Sequence, residues 1–197
     1  MHLYHVLLCS SEADNNIQSM DELFLLPPAP VAMPRAYWGA SHSLSSAMML
    51  VTPSSFEFQR ILDAIKHRSY EDFDMEIVNT LYGDDALVIP HRHYILLTGD
   101  FRRKTHTRYL GSAEAVWDPR KELNDAKFVH FSDWPYPKPW IMPEEDQKNE
   151  VEPKCTPGPD DDCESANIWY GLYDDFRRRR LDVCGRALKM GTKQGFY

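Results

Sequence analysis

Apolar positions along the chain come in short runs, broken by prolines and by acidic or amide turns. Residues 3–9, with Val6, Leu7 and Leu8 contiguous, read as a short buried strand. A polar stretch holding Glu12, Asp14, Asn15 and Asn16 follows. Met20-Asp21-Glu22-Leu23-Phe24 then reads as a single helical turn that Pro27 and Pro28 halt. Val31-Ala32-Met33 is a second strand and runs into a loop with Tyr37, Trp38 and Gly39. Residues 44–51 are small at first and apolar afterwards, the pattern of a buried strand whose beginning lets another group approach the backbone closely. Ser54 or Ser55 caps a helix that places Phe58, Ile61, Leu62 and Ile65 on one face, predicted to look into the core. Residues 70–82 begin acidic and continue as a second helix through Met75, Ile77, Val78 and Leu81, and residues 86–90 form another strand. Residues 122–131 pass from a small helix into the strand Phe128-Val129-His130. Residues 144–162 are acidic and proline-rich, and 168–185 form a helix with Trp169, Leu172, Tyr173 and Phe176 on one side. Strands alternating with helices over short connections predict an α/β sheet domain.

Composition narrows this picture. A chain of 197 residues that is 43% hydrophobic can bury one substantial core, and fourteen prolines with five tryptophans and ten tyrosines fit ordered loops better than a helical bundle. A net charge of −8 argues against a general nucleic-acid binder, which would present a basic face. None of the four cysteines forms a CxxC pair, so a zinc ribbon is not expected. Cys155 and Cys163 flank a Pro/Gly/Asp loop, and two readings stand: a disulfide formed in a secretory compartment, or two free thiols. No apolar run approaches the ~20 residues that cross a bilayer. The run at residues 6–9 is too short for a signal sequence and lacks a basic flank, so the chain as written reads as soluble and without an address.

The chemistry concentrates in residues 128–140, Phe128-Val129-His130-Phe131-Ser132-Asp133-Trp134-Pro135-Tyr136-Pro137-Lys138-Pro139-Trp140. An apolar run ends on a histidine, and a loop stiffened by prolines and aromatics holds a lysine at a fixed remove from it. Neutral imidazole is a common metal ligand and an ammonium is a compact partner for phosphate oxygens, so this loop can hold a metal–diphosphate unit. A strand followed by a proline-rich surface loop is the plainer alternative. Elsewhere, His91 and His93 share a face if their segment is a strand, but no third ligand stands nearby, and a surface strand end suffices. Arg102, Arg103, Lys104 and Arg108, with Tyr94 and Tyr109, read either as a phosphate patch or as a solvated basic loop. Arg177, Arg178, Arg179 and Arg180 read as an exposed helix end.

Four segments occur in an order that resembles the glycogenin-like glycosyltransferases, the family 8 enzymes of the GT-A fold: Asp21-Glu22-Leu23-Phe24, residues 44–53, Asp74-Met75-Glu76-Ile77-Val78-Asn79, and residues 130–140. The resemblance covers about residues 19–185. Trp117-Asp118-Pro119 and residues 169–184 are similar to the fungal, N-acetylglucosaminyltransferase-type members. It implies a GT-A α/β domain that moves a sugar from a UDP-sugar to a glycan or protein acceptor. Mn²⁺ or Mg²⁺ would neutralise the departing diphosphate. His130 falls on the family's third metal ligand, at the diphosphate, and Lys138 on its diphosphate-binding lysine. Asp74 falls on the acid that faces the sugar or its acceptor; an acid favoured by a helix dipole is the equal alternative. Trp140 falls where it braces the loop.

The sequence departs from the family's pattern near its start. The D-x-D metal pair should lie where Ser11, Glu12 and Ala13 stand; one residue later, Glu12-Ala13-Asp14 leaves Asp14 as a candidate ligand or as part of a solvated acidic turn. The nucleotide-binding βαβ half that should precede this pair has no counterpart in the first residues. The expected architecture is therefore an incomplete GT-A domain at 1–143, an acidic proline-rich linker at 144–167, and a C-terminal helix and tail at 168–197. Two functions remain: a metal-dependent glycosyltransferase of the Golgi or secretory pathway, or a catalytically inactive remnant that binds a glycan or a protein.

Overall fold

Two small sheets and the helices against them carry the fold. The computed structural model describes residues 5–7, 15–40, 42–155, 163–185 and 189–190. In chain order the strands are β1 His5–Leu7, β2 Asn15–Asn16, β3 Val31–Pro34, β4 Met49–Val51, β5 Leu87–Ile89, β6 Leu96–Leu97, β7 Phe128–His130, β8 Ile141–Met142 and β9 Lys189–Met190. The helices are α1 Ser55–His67, α2 Asp74–Tyr82, the short turns α3 His91–Tyr94 and α4 Thr107–Leu110, then α5 Pro119–Asp125, α6 Glu145–Val151 and α7 Cys163–Cys184. One sheet has the order β1-β4-β3-β5, in which β3 and β5 are parallel; the second has the order β2-β7-β6. β8 and β9 form a separate pair. The fold is mixed α/β with small sheets.

Strand alternation sorts the apolar side chains into layers. Ala32, Met48, Leu50, Leu97 and Phe128 share one buried cluster with Met20 and Leu23, so residues of both sheets meet there. Their neighbours Val31, Met33 and Met49 join Val78 and Tyr82 of α2 in a second cluster. Leu96, Val129 and Phe131 belong to a third, with Tyr109, Trp169, Leu172 and Tyr173. The stripe of apolar residues on α7 is thus what covers the outer side of the β6–β7 sheet. Asp118 starts α5 by accepting from the Lys121 backbone N–H at 2.9 Å, with Pro119 in the first turn, where its missing N–H costs nothing. Lys127, just after α5, pairs with Glu22 in the Asp21–Leu25 turn, and this contact, with the Tyr94 hydroxyl, holds the Glu22 carboxyl down at about 2.

Three expectations change. Residues 44–51 are not one strand: Leu44 forms an isolated bridge to Arg35, a turn follows, and the strand begins at Met49. The close approach to that backbone is made by Asn79 of α2, whose amide both accepts from Leu44 N–H at 2.7 Å and donates to Leu44 C=O at 2.8 Å. The α1 stripe meets the core only in part: Ile61 packs against the Val31, Met33 and Val78 cluster. No residue of α1 is buried, Phe58 and Ile65 are 57% and 45% exposed, and with Ile61 they line an apolar groove of ≈ 640 Å³ between α1, α2 and β4. Spacing shows which face turns inward; it does not supply the opposite wall. The acidic stretch after residue 143 is also more ordered than its composition suggests. α6 forms there because Gln147 reaches back to the Glu144 N–H at 2.9 Å, and Val151 enters the core.

Candidate functional site

Phe128 and Val129 are fully buried on opposite sides of β7, which fixes the strand and brings His130 to its end on the Phe128 side. β6 runs parallel to it with Leu97 opposite His130, and β2 runs antiparallel with Asn16 opposite Phe128 and Asn15 opposite Val129. Thr98–Arg102, the 3-10 turn that follows β6, therefore lies beside the loop that follows β7. The two backbones touch closely. Thr98 Oγ1 accepts from Ser132 N–H at 3.0 Å, Gly99 N–H points at Ser132 Oγ at 3.4 Å, and a Cβ on Gly99 would stand 3.3 Å from that oxygen.

The loop is organised from within by Asp133. Its carboxylate is 2% exposed and accepts from four side chains: Thr98, the Arg102 guanidinium at 2.7 Å, the Trp169 indole N–H at 2.9 Å and the Tyr173 hydroxyl at 3.0 Å. Burial and the adjacent Asp133 charge push the Tyr173 phenol far above its ordinary range, which keeps it a donor. Hydrogen bonds to a charged acceptor are worth about 1.5–3 kcal/mol each. Tyr136 N–H donates to Asp133 C=O at 2.7 Å, closing a turn whose Trp134–Pro135 peptide is cis. From the other side α6 holds the same turn: Gln147 donates to Pro135 C=O at 2.9 Å and Glu152 accepts from the Tyr136 hydroxyl at 3.0 Å.

Lys138 folds back so that its ammonium donates to the carbonyl of Phe131, the residue after His130. Residues 131–138 thus form a closed loop, and the two expected site residues are brought to its base. Its far end is held by α7, where Arg177 donates to Pro139 C=O at 3.3 Å and Arg180 to Trp140 C=O at 3.1 Å. Trp140 packs against Phe176, ring centroids 6.0 Å apart, so it does brace the loop.

The other candidates go elsewhere. Asp74 is the exposed first residue of α2 and lines the apolar groove, to which neither β7 nor its loop contributes. Asp14 lies outside the described residues. Among the described residues no three His, Cys, Asp or Glu converge as a metal centre, and the nearest carboxylate in sequence to His130, Asp133, is occupied by four donors. These residues supply an imidazole but not a complete ligand set for a divalent cation. His91 and His93 do not share a strand face: His93 has φ 75°, and the two rings meet the carbonyls of Tyr109 and Asp125 respectively. Of the basic cluster, Arg102 is paired with Asp133, Arg103 with Asp100 at 3.2 Å, and Arg108 donates to Trp38 C=O at 2.8 Å. Three of the four cations are therefore engaged by the protein itself.

Sequence reasoning missed the buried carboxylates. Besides Asp133 these are Asp100, which accepts from the Tyr37 hydroxyl, and Glu122, which pairs with Arg92 at 2.8 Å. Burial raises the Asp100 carboxyl above its usual value, opposed by Tyr37, Arg103 and His106. The available signal was an acid set between apolar or aromatic neighbours, as in Phe131-Ser132-Asp133-Trp134. Cys155 and Cys163 are disulfide-bonded, joining the end of α6 to the start of α7 with Cα atoms 5.1 Å apart. Among the described residues no helix is long and apolar enough to cross a membrane.

No protein-family model matches the chain. It is 49% identical over 187 residues to a protein of Gibberella zeae named glucose N-acetyltransferase 1, an alignment covering 90% of this chain and 40% of that protein. To the protein of the same name from Aspergillus fumigatus it is 44% identical over 195 residues, 91% of this chain and 50% of the relative. A Candida albicans protein so named is 27% identical over 84% of the chain and 46% of its own length. The chain is therefore a homologue, over most of its length, of fungal proteins named glucose N-acetyltransferase 1, and it spans half or less of their length.

Proposed function

We propose that the protein contributes the diphosphate-facing side of a sugar transferase that uses a UDP-sugar and passes the sugar to a glycan or protein hydroxyl. The observation that carries the reading is the closed loop after β7, which sets the Lys138 ammonium on the carbonyl next to His130. An ammonium there meets the charge that develops on a departing diphosphate, and Asp133 and α7 hold the loop so that no reorganisation is needed as that charge forms. Relatives named glucose N-acetyltransferase 1 support a transferase in general. The GT-A architecture belongs to the proposal, as does the division of the chain near residues 143 and 167.

In this reading His130 is the imidazole ligand of Mn²⁺ or Mg²⁺, and the remaining ligands come from outside the described residues. The ladder of β2 on β7 runs toward His130 as the chain is read back from Asn15, and Asp14 is the residue before Asn15 in sequence. The cation, when bound, would neutralise diphosphate charge. Asp74 lines the α1–α2 groove and not this loop, so its proposed place beside the sugar or acceptor requires the ligand to extend to that groove. The disulfide is of the kind that forms in an oxidising compartment, which fits a Golgi or secretory setting.

A second reading, a non-catalytic module that binds a glycan or a partner protein, is favoured by the incomplete ligand set among the described residues. Hydrolysis separates the two. The transferase reading expects slow release of UDP from UDP-N-acetylglucosamine or UDP-glucose by the purified chain, dependent on Mn²⁺ and abolished in His130→Ala. Release that is absent with both donors leaves the binding module.

A further inference from the structure

The loop that holds His130 and Lys138 is turned inward at nearly every large residue except one. Phe131 and Tyr136 are buried in the cluster under α7, and Asp133 is buried among its four donors. Trp134 alone among the bulky residues at the tip faces outward, 76% exposed. An indole of that exposure does not serve the core, because most of its apolar area remains in water. Nor does it sit on a slack segment. The residue before it is fixed by Thr98, Arg102, Trp169 and Tyr173, and the two after it by Gln147 of α6 and by Glu152 just past that helix. A rigid aromatic plane at the apex of a loop loses little conformational freedom when something stacks on it.

A pyranose is the complementary shape. Its ring carries polar hydroxyls around the rim and a patch of C–H bonds on one face, and that face packs on an electron-rich indole while the hydroxyls stay in water or find polar partners. A peptide or lipid partner would want a wider apolar surface around the ring. The chain neighbours of Trp134 on either side are the buried Asp133 and the half-buried Pro135.

We propose that Trp134 is a sugar-stacking platform at the tip of the His130–Lys138 loop, binding one pyranose ring of the donor sugar or of the acceptor glycan. The proposal rests on the transferase reading for its place in a reaction, but the sugar contact is tested separately. Trp134→Ala and Trp134→Phe are compared with wild type by saturation-transfer difference NMR. The probes are UDP-N-acetylglucosamine, N,N′-diacetylchitobiose, maltotriose and mannotriose. Wild type is expected to saturate the C–H protons of one pyranose face in at least one probe. Trp134→Ala should bind that probe about tenfold more weakly and Trp134→Phe should keep most of the binding. Both variants should melt within about 2 °C of wild type, as an exposed site implies. Saturation of the sugar of UDP-N-acetylglucosamine alone assigns the platform to the donor; saturation of a free oligosaccharide assigns it to the acceptor.

The proposal is overturned if wild type saturates none of the four, if Trp134→Ala binds as wild type does, or if Trp134→Ala lowers the melting point sharply, since the ring would then be covered in solution. Trp134-dependent oligosaccharide binding without any Mn²⁺-dependent UDP binding would sink the transferase reading and leave the platform standing. UDP binding with no Trp134 effect would do the reverse.

Discussion

At the scale of single residues, Asp133 determines the geometry of the candidate site. Asp133 lies in the loop between His130 and Lys138. It fixes the backbone between them by collecting donors from the Thr98–Arg102 turn and from α7. Asp133→Ala would leave the buried Trp169 indole N–H and Tyr173 phenol without their acceptor, and the partly exposed Arg102 without its counter-charge. The expected cost is about 2–5 kcal/mol, read as a lowered urea midpoint, because two buried donors are left unsatisfied. A midpoint within error of wild type would show that the loop is set by something else. His130 and Lys138 stand out as candidates in the sequence because a ligand-type residue ending an apolar run and a lysine in a proline-rich loop are local patterns. Asp133 lies in the same stretch and was not legible, since its four partners are 31 to 40 residues away. The same holds for Glu122 and Arg92, 30 residues apart.

At the scale of elements, α7 has two functions along its length. Trp169 and Tyr173 reach Asp133 and the core, and Arg177 and Arg180, one and two turns on, hold the loop's far end through carbonyls. Its apolar face was readable from the spacing of Trp169, Leu172, Tyr173 and Phe176. Its start at Cys163, where the sequence suggests linker, and the role of its arginines as loop anchors were not. The Cys155–Cys163 disulfide ties this helix to α6, which grips the same loop from the opposite side. Closing a loop of eight-residue separation constrains the unfolded chain by about 2–3 kcal/mol. Reduction with dithiothreitol, or Cys155→Ser, should lower the urea midpoint accordingly, and a chain whose midpoint ignores reductant would contradict this coupling. α1 shows the limit of periodicity: its stripe is correct in spacing but faces a groove and meets the core only in part.

At the scale of the whole molecule, two sheets share one buried layer and are flanked by α2 on one side and α7 on the other. An α/β domain was readable from alternating runs; the split into two sheets was not, because strands of two to four residues carry too little pattern to show which of them pair. The chain spans half or less of its fungal relatives, and its candidate site is likewise one-sided, with an imidazole and an ammonium but no complete set of metal ligands among the described residues. Calorimetric titration of UDP into the purified chain with and without Mn²⁺, for wild type and Lys138→Ala, tests whether the loop after β7 faces a nucleotide diphosphate. Binding should require Mn²⁺ and weaken roughly tenfold or more when the ammonium is removed. UDP binding that is absent, or that is indifferent both to the cation and to Lys138, would contradict that placement.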